Sequence, residues 1–177
     1  KTACGGELII HAPQGGSDKP GTNVLIGNFA LFGATGGRLF VEGQAGDRFA
    51  VRNSGATAVV EGVGDFCAEY MTNGAVLNLG AFAKGNGMSG GFAYQYDPYK
   101  KFTHCISHDS VLLGYVDNNT EEAEIHAQAI HTMLQWHAKS TGSKKASWLL
   151  KNWNVERANF AYITPRALLQ YQDSEAI

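Results

Sequence analysis

Gly36-Gly37-Arg38-Leu39-Phe40-Val41-Glu42-Gly43 returns as Gly55-Ala56-Thr57-Ala58-Val59-Val60-Glu61-Gly62, and again as Asn73-Gly74-Ala75-Val76-Leu77-Asn78-Leu79-Gly80. A worn fourth copy is Gly90-Gly91-Phe92-Ala93-Tyr94-Gln95-Tyr96-Asp97. From Gly37 through Ala56 and Gly74 to Gly91 the steps are 19, 18 and 17 residues. A second phase runs beside the first: Gly27, Gly46 and Gly64 are 19 and 18 apart. Each unit holds apolar runs too short to bury a face in a hairpin sheet of their own. Stacked on the unit below at about 4.8 Å, they form continuous parallel ladders around a shared apolar axis. Parallel β crossovers are right-handed. The repeat therefore predicts an all-β solenoid, a single-stranded right-handed parallel β-helix, with a C-terminal helical appendage.

Residue types divide the 177-residue chain near Asp97-Pro98-Tyr99. Twenty of the 22 glycines lie in residues 1–97, whereas Trp136, Trp148 and Trp153 all lie beyond. We accordingly expect a β-helix over 1–97 and a connecting segment plus two-helix tail over 98–177. Leu8-Ile9-Ile10, Val24-Leu25-Ile26, Leu39-Phe40-Val41, Phe49-Ala50-Val51 and Val76-Leu77 read as short strands. Glycine at their ends supplies positive φ for tight corners. Residues 15–23 are loop by composition and stretch the step from Gly6 to Gly37 to 31 residues, as one coil with a long excursion would. Lys1-Thr2-Ala3-Cys4-Gly5-Gly6 opens inside a repeat without a cap, as expected of a fragment whose first coils lie upstream.

The second part reads as helical. Thr120 is the expected N-cap, with Glu121, Glu122 and Glu124 complementing the helix dipole. Thr141-Gly142 is the stop signal, and Ser143 caps a second helix through Leu149, Leu150 and Trp153. Ala123, Ala127, Ile130 and Leu134 form an apolar stripe, expected to cover the open end of the coil, where bare backbone would invite aggregation. Phe160-Ala161-Tyr162-Ile163 is expected to be extended.

Several function classes are excluded by composition. A net charge of −2 and a pI near 6.3 provide no electrostatic footprint for nucleic acid or an anionic membrane. No run approaches the roughly 18 apolar residues of a membrane helix. Cys4, Cys67 and Cys105 are an odd number at irregular spacing, which fits neither a disulfide framework nor a zinc site. Buried or partly buried free thiols in a reducing cytoplasm are the expectation.

Gly85-x-Gly87-x-x-Gly90 satisfies a dinucleotide fingerprint literally, and Gly33-Ala34-Thr35-Gly36-Gly37 resembles a short-chain-dehydrogenase nucleotide loop. Such loops hold a pyrophosphate on a helix N-terminus. Here both continue into strand-like runs, and the second phase recurs at Gly55-Ala56. We read both as structural turns. His104 and His108 do not lie on a helical pattern, and His126, His131 and His137 are spaced five and six apart, so no metal set is expected. Stacking would bring Glu42 and Glu61 within about 5 Å of each other, and Arg48 or Arg52 is expected between them to relieve the repulsion. No catalytic, cofactor-binding or metal-ligating residue is expected.

The run Ile26-Gly27-Asn28, Gly33 to Leu39, Gly46-Asp47-Arg48-Phe49-Ala50-Val51-Arg52-Asn53-Ser54-Gly55-Ala56, Val59 to Asp65, Glu69-Tyr70-Met71-Thr72 and Gly87 to Tyr94 closely resembles the C-terminal glycine-repeat (GXGXG) domain of the glutamate synthase large (alpha) subunit. The resemblance continues through Thr141-Gly142-Ser143 and Asn152-Trp153 to Phe160-Ala161, and the tail is most similar to the bacterial NADPH-dependent form. It implies a β-helix at the end of a multidomain enzyme that converts L-glutamine, 2-oxoglutarate and reductant to two L-glutamate. In that family an amidotransferase domain releases ammonia with its N-terminal cysteine. A barrel domain carrying FMN and an iron–sulfur cluster uses the ammonia, with NADPH or ferredoxin as electron source, and a small FAD/NADPH-handling subunit is the expected further partner.

The resemblance makes the repeat domain structural, with no chemistry in this segment, and Cys4, Cys67 and Cys105 match neither the catalytic cysteine nor the cluster ligands. The alternative is a stand-alone scaffolding subunit of an N-methylglutamate synthase-like or formylmethanofuran dehydrogenase-like complex. Two places depart from the family pattern: Asn73, where glycine is usual but asparagine tolerates positive φ, and Ala81–Asn86 at the last corner.

Overall fold

The computed structural model describes residues 3–13, 22–85, 87–117 and 119–169. Its strands are β1 (Cys4–Ile10), β2 (Val24–Ile26), β3 (Gly36–Val41), β4 (Gln44–Ala45), β5 (Ser54–Gly62), β6 (Asn73–Ala81), β7 (Phe92–Tyr96), β8 (Val111–Tyr115) and β9 (Phe160–Pro165). β1, β3, β5, β6 and β7 each pair in parallel with the equivalent strand one coil on, giving four coil-to-coil steps of a β-solenoid. β2 and β4 form a second, parallel wall. Most of the loop expected over residues 15–23 lies outside the described residues.

Register sorts the repeat's side chains into two rows. Leu8, Leu39, Ala58, Val76 and Ala93 stand in line, and those from Leu39 onward are buried in the inner core with Phe49 and Met71. The alternate row, Ile9, Phe40, Val59, Leu77 and Tyr94, faces outward. It is equally apolar, so the sheet needs cover on both faces. α1 (Glu121–Thr141) supplies it: Ala127, Ile130 and Leu134 pack on Phe40, Val59 and Leu77. The helical stripe therefore covers the sheet's outer face and not the coil's end, because the outer row is itself apolar and the end is closed by other elements.

The end of the coil is closed differently. β9 pairs antiparallel with β7, and β8 pairs antiparallel with β9. Phe102 and Val111 plug the interior there. The caps are as the sequence predicts. Thr120 accepts a hydrogen bond from the Ala123 N–H at 3.1 Å, and Gly142 ends α1 with φ 73°. Ser143 caps α2 (Lys144–Lys151) through the Ala146 N–H.

The third wall of the coil is not strand. Phe49-Ala50-Val51, expected extended, lies in an arc, as do the equivalent stretches one coil before and after. Phe29, Leu31, Arg48, Ala50, Arg52, Phe66, Ala68 and Tyr70 adopt φ of 55–61° at alternate positions. Each left-handed non-glycine residue costs roughly 1–2 kcal/mol. Inter-coil hydrogen bonds offset this: Arg48 N–H donates to Asp65 at 2.7 Å, Ala50 to Ala30 at 2.9 Å and Ala68 to Phe49 at 2.8 Å.

The two glycine phases have different causes. Gly37, Gly74 and Gly91 have φ of 92°, 92° and 81°, so the glycines of that phase meet a need for positive φ, and Ala56, its one non-glycine member, lies outside that region. Asn73 is tolerated because Gly74 carries the left-handed conformation; the Asn73 side chain accepts from the Gly74 N–H at 2.8 Å. The second phase makes room for a side-chain ladder. Asn28 Oδ1 accepts the Asp47 N–H at 2.8 Å, Asp47 Oδ1 the Asp65 N–H at 3.0 Å, and Asp65 Oδ1 the Lys84 N–H at 3.2 Å. A Cβ at Gly46 would fall 2.2 Å from Asn28 Oδ1, and one at Gly64 2.1 Å from Asp47 Oδ1. Asp47→Ala is expected to cost about 1 kcal/mol through the lost ladder bond, whereas Asp47→Asn keeps the acceptor. Urea-unfolding midpoints of the two variants check this.

Candidate functional site

A buried polar cluster lies where the helices meet the coil. Glu61, near the end of β5, is 4% exposed, and His137 and Ser143 are fully buried. His137 Nε2 donates to Glu61 Oε1 at 3.1 Å, and Ser143 Oγ donates to the same oxygen. Ser143 is also the cap of α2, and Thr141 Oγ1 donates to the His137 carbonyl at 2.6 Å. Burial alone pushes the Glu61 carboxyl up. The hydrogen bonds from His137 and Ser143, with the electrostatic pull of His137 and Lys145, outweigh burial and hold it below its ordinary value.

The residue types are those of a hydrolytic triad, but the connectivity is not. A nucleophilic serine needs a base on its Oγ, oriented in turn by the acid. Here the carboxylate sits between serine and histidine, and His137 Nδ1 is buried without a hydrogen-bond partner. Ser143 Oγ faces a carboxylate and not an imidazole. The geometry is that of a clamp tying α1 and α2 to the middle coil. Sequence reading missed it because its members come from distant parts of the chain; the one signal was a glutamate inside an apolar strand run, where a buried charge needs partners.

A second buried carboxylate ties the corner after β7. Asp97 accepts the Lys101 and Phe102 N–H groups at 2.9 Å each and the Tyr115 hydroxyl at 2.7 Å. Nearby, Leu79, Phe82, Tyr96, Tyr99, Lys101 and Lys145 line a cavity of about 460 Å³. Burial lowers the Lys145 amine and Glu61 raises it, leaving it lowered overall.

The residues singled out in the sequence are dispersed. Arg48 and Arg52 do not stand between Glu42 and Glu61, because they lie on the arc wall and the glutamates do not. Arg48 instead sits over the rings of Phe29 and Phe66, at 5.4 and 5.6 Å. Glu42 accepts the Ala12 N–H at 3.1 Å, and Glu61 has its clamp. Gly33–Gly37 leads into β3 and Gly85–Gly90 precedes β7, so neither loop presents a helix N-terminus. Gly85 has φ of 97° and its N–H donates to the Cys105 carbonyl at 2.9 Å, while Asn86 of the departing last corner lies outside the described residues.

His104 lies in the short turn Phe102–Cys105, His108 bonds to Thr103, His126 stacks on Tyr162, and His131 meets Trp153. Cys4 is exposed on the edge strand β1, contrary to expectation, because β1 pairs on one side only. Cys67 is buried, which pushes its thiol up to about 12, and Cys105 is half-buried. Among the described residues no three His, Cys, Asp or Glu side chains come together as a metal-holding group. No helix among them is long and apolar enough to cross a membrane.

Comparison with known proteins gives one consistent answer. Residues 1–166 match the GXGXG motif family. The chain is 42% identical over 178 residues to a glutamate synthase (NADH) of Schizosaccharomyces pombe, covering 99% of this chain and 8% of that protein. It is 41% identical over 163 residues to a ferredoxin-dependent glutamate synthase of Pyropia yezoensis, covering 91% and 10%. It is 40% identical over 169 residues to a glutamate synthase (NADPH) large chain of Bacillus subtilis, covering 94% and 11%. The chain thus spans about a tenth of the length of these relatives.

Proposed function

The chain belongs to the GXGXG motif family, and from that premise we propose that it is the structural glycine-repeat part of a glutamate synthase large chain. In this reading residues 1–97 form the coil and 98–177 its strap. The unit holds the amidotransferase and FMN-barrel domains of the same polypeptide in place and performs no chemistry. The parent enzyme converts L-glutamine, 2-oxoglutarate and reductant to two L-glutamate in the cytoplasm, with NADPH or ferredoxin as electron source and a small FAD/NADPH-handling subunit as partner.

The observation that carries this reading is the similarity across nearly the whole chain to one short segment of much longer enzymes. The clamp supports it: Glu61 takes hydrogen bonds from His137 Nε2 and Ser143, and Ser143 also caps α2. The donors here do not suit an iron–sulfur cluster. Cys4 is exposed on an edge strand and Cys67 is a buried thiol pushed up to about 12, so we assign no cofactor ligand to this segment.

The mass of the native polypeptide and the activity of this chain alone test the proposal. The native polypeptide is expected to be about ten times as long, since the chain spans 8–11% of its relatives. The chain by itself is expected to form no glutamate from glutamine and 2-oxoglutarate with either reductant. A native polypeptide of this length only would favour the stand-alone subunit, and glutamate formation by the chain alone would end the structural reading.

A further inference from the structure

The arc wall keeps bulky side chains where the backbone favours glycine. Inter-coil hydrogen bonds align Phe29, Arg48, Phe66 and Gly85 in one column, and Gly33, Arg52 and Tyr70 in another. All seven have positive φ. Glycine at Gly85 and Gly33 shows that the coil accepts it in both columns, and glycine would hold this conformation without the Cβ clash. A phenylalanine, arginine or tyrosine retained in such a conformation points to a use for its side chain.

These side chains face outward. Phe29 is 36% exposed, Phe66 38% and Tyr70 63%, and Arg48 and Arg52 are exposed. Arg48 is stacked against Phe29 and Phe66 and so is held in place. Asp47 and Asp65 lie beside them in sequence, but each gives a carboxylate oxygen to the ladder. Among the described residues neither Arg48 nor Arg52 lies within ion-pair distance of a carboxylate. Arg48, held against aromatic rings, and Arg52, neither of them in a direct ion pair among the described residues, stand on a fixed backbone and match the residue types and preorganisation of an interface centre.

We propose that the outer side of the arc wall, centred on Phe29, Arg48, Arg52, Phe66 and Tyr70, is a docking surface for a carboxylate-bearing face of another domain of the same polypeptide. This rests on the reading of the chain as one segment of a longer protein. The occupant is a domain because the relatives carry some nine-tenths of their length outside the matched segment. It is carboxylate-bearing because among the described residues neither guanidinium is in an ion pair.

Hydroxyl-radical footprinting of the native polypeptide tests this. Tyr70 and Tyr99 are both well exposed in this chain, at 63% and 79%. With the surface docked, Tyr70 is expected to label at least fivefold more slowly than Tyr99. Arg52→Glu should bring its labelling to within twofold of Tyr99, and Arg52→Lys should keep the protection. Tyr70 labelling within twofold of Tyr99 in the wild-type polypeptide overturns the proposal. So does protection that survives Arg52→Glu, or protection that disappears on dilution, which would mean a second copy. If Arg52→Glu also exposes the buried Met71, the coil has opened, and the wild-type ratio with Arg52→Lys decides. A long native polypeptide with Tyr70 exposed would sink the docking surface alone; a native polypeptide of only this length would sink the functional reading as well.

Discussion

Gly80→Ala is expected to destabilise the coil by at least about 4 kcal/mol, beyond the usual range for overpacking. A Cβ at this position would lie 1.8 Å from the Glu61 carbonyl oxygen, 2.5 Å from its carbon and 3.0 Å from the Gly62 nitrogen. All three are backbone atoms of the preceding coil, so no side chain can swing aside. Relief requires β6 to move away from β5, breaking the pairs Ala58 with Val76 and Val59 with Leu77. Because each coil rests on its neighbours, the damage should spread along the stack. Gly5→Ala is the control: no atom lies within 4 Å of its Cβ and its φ is not positive. Urea unfolding should separate the two, with Gly5→Ala near wild type and Gly80→Ala largely unfolded without denaturant.

The second large effect belongs to the clamp. His137→Ala removes one partner of a buried pair, which typically costs about 3–5 kcal/mol because the remaining charge is stranded. The double variant Glu61→Leu, His137→Leu should recover much of that loss, since the stranded carboxylate is removed together with its imidazole partner. The pH dependence has a definite sign. The folded Glu61 carboxyl is held below its ordinary value, so its stabilising contribution is complete above the unfolded value of about 4.3. That contribution is lost as pH falls through the lower folded value. Stability measured between neutral and strongly acidic pH should therefore show an acid leg in the wild type that Glu61→Gln lacks. The same slope in both proteins would remove Glu61 from the account.

Much of this architecture is legible in the chain because the repeat carries it. Spacing of 17–19 residues between glycines sets the coil length, and the apolar alternation Leu39, Phe40, Val41 sets inner and outer rows. Thr120, Gly142 and Ser143 act locally, within a turn of their targets, so their roles follow from sequence alone. The arcs are not legible, because nothing in Phe49-Ala50-Val51 distinguishes a strand from alternating left-handed residues. The coil's own hydrogen bonds impose that geometry against local preference.

The clamp was hidden for a different reason. His137 and Ser143 stand 76 and 82 residues from Glu61, and only the packing of α1 on the outer row brings them together. The expected role of Arg48 failed on the same point. Stacking brings equivalent residues of successive coils together, but Arg48 and Glu61 belong to different walls. Sequence spacing alone does not say which wall a residue occupies when the third wall is unrecognised.

Successive repeats lie over one another in parallel register. Glu7 and Phe92 are both exposed and stand in one column through Arg38, Thr57 and Ala75, four coil steps apart. At about 4.8 Å per step their Cα atoms should be about 19 Å apart. Spin labels at these two positions should give a single narrow distance distribution near that value, widened only by the linkers. A broad distribution, or one centred beyond roughly 30 Å, is incompatible with four stacked rungs at that spacing and would contradict the solenoid and everything derived from it.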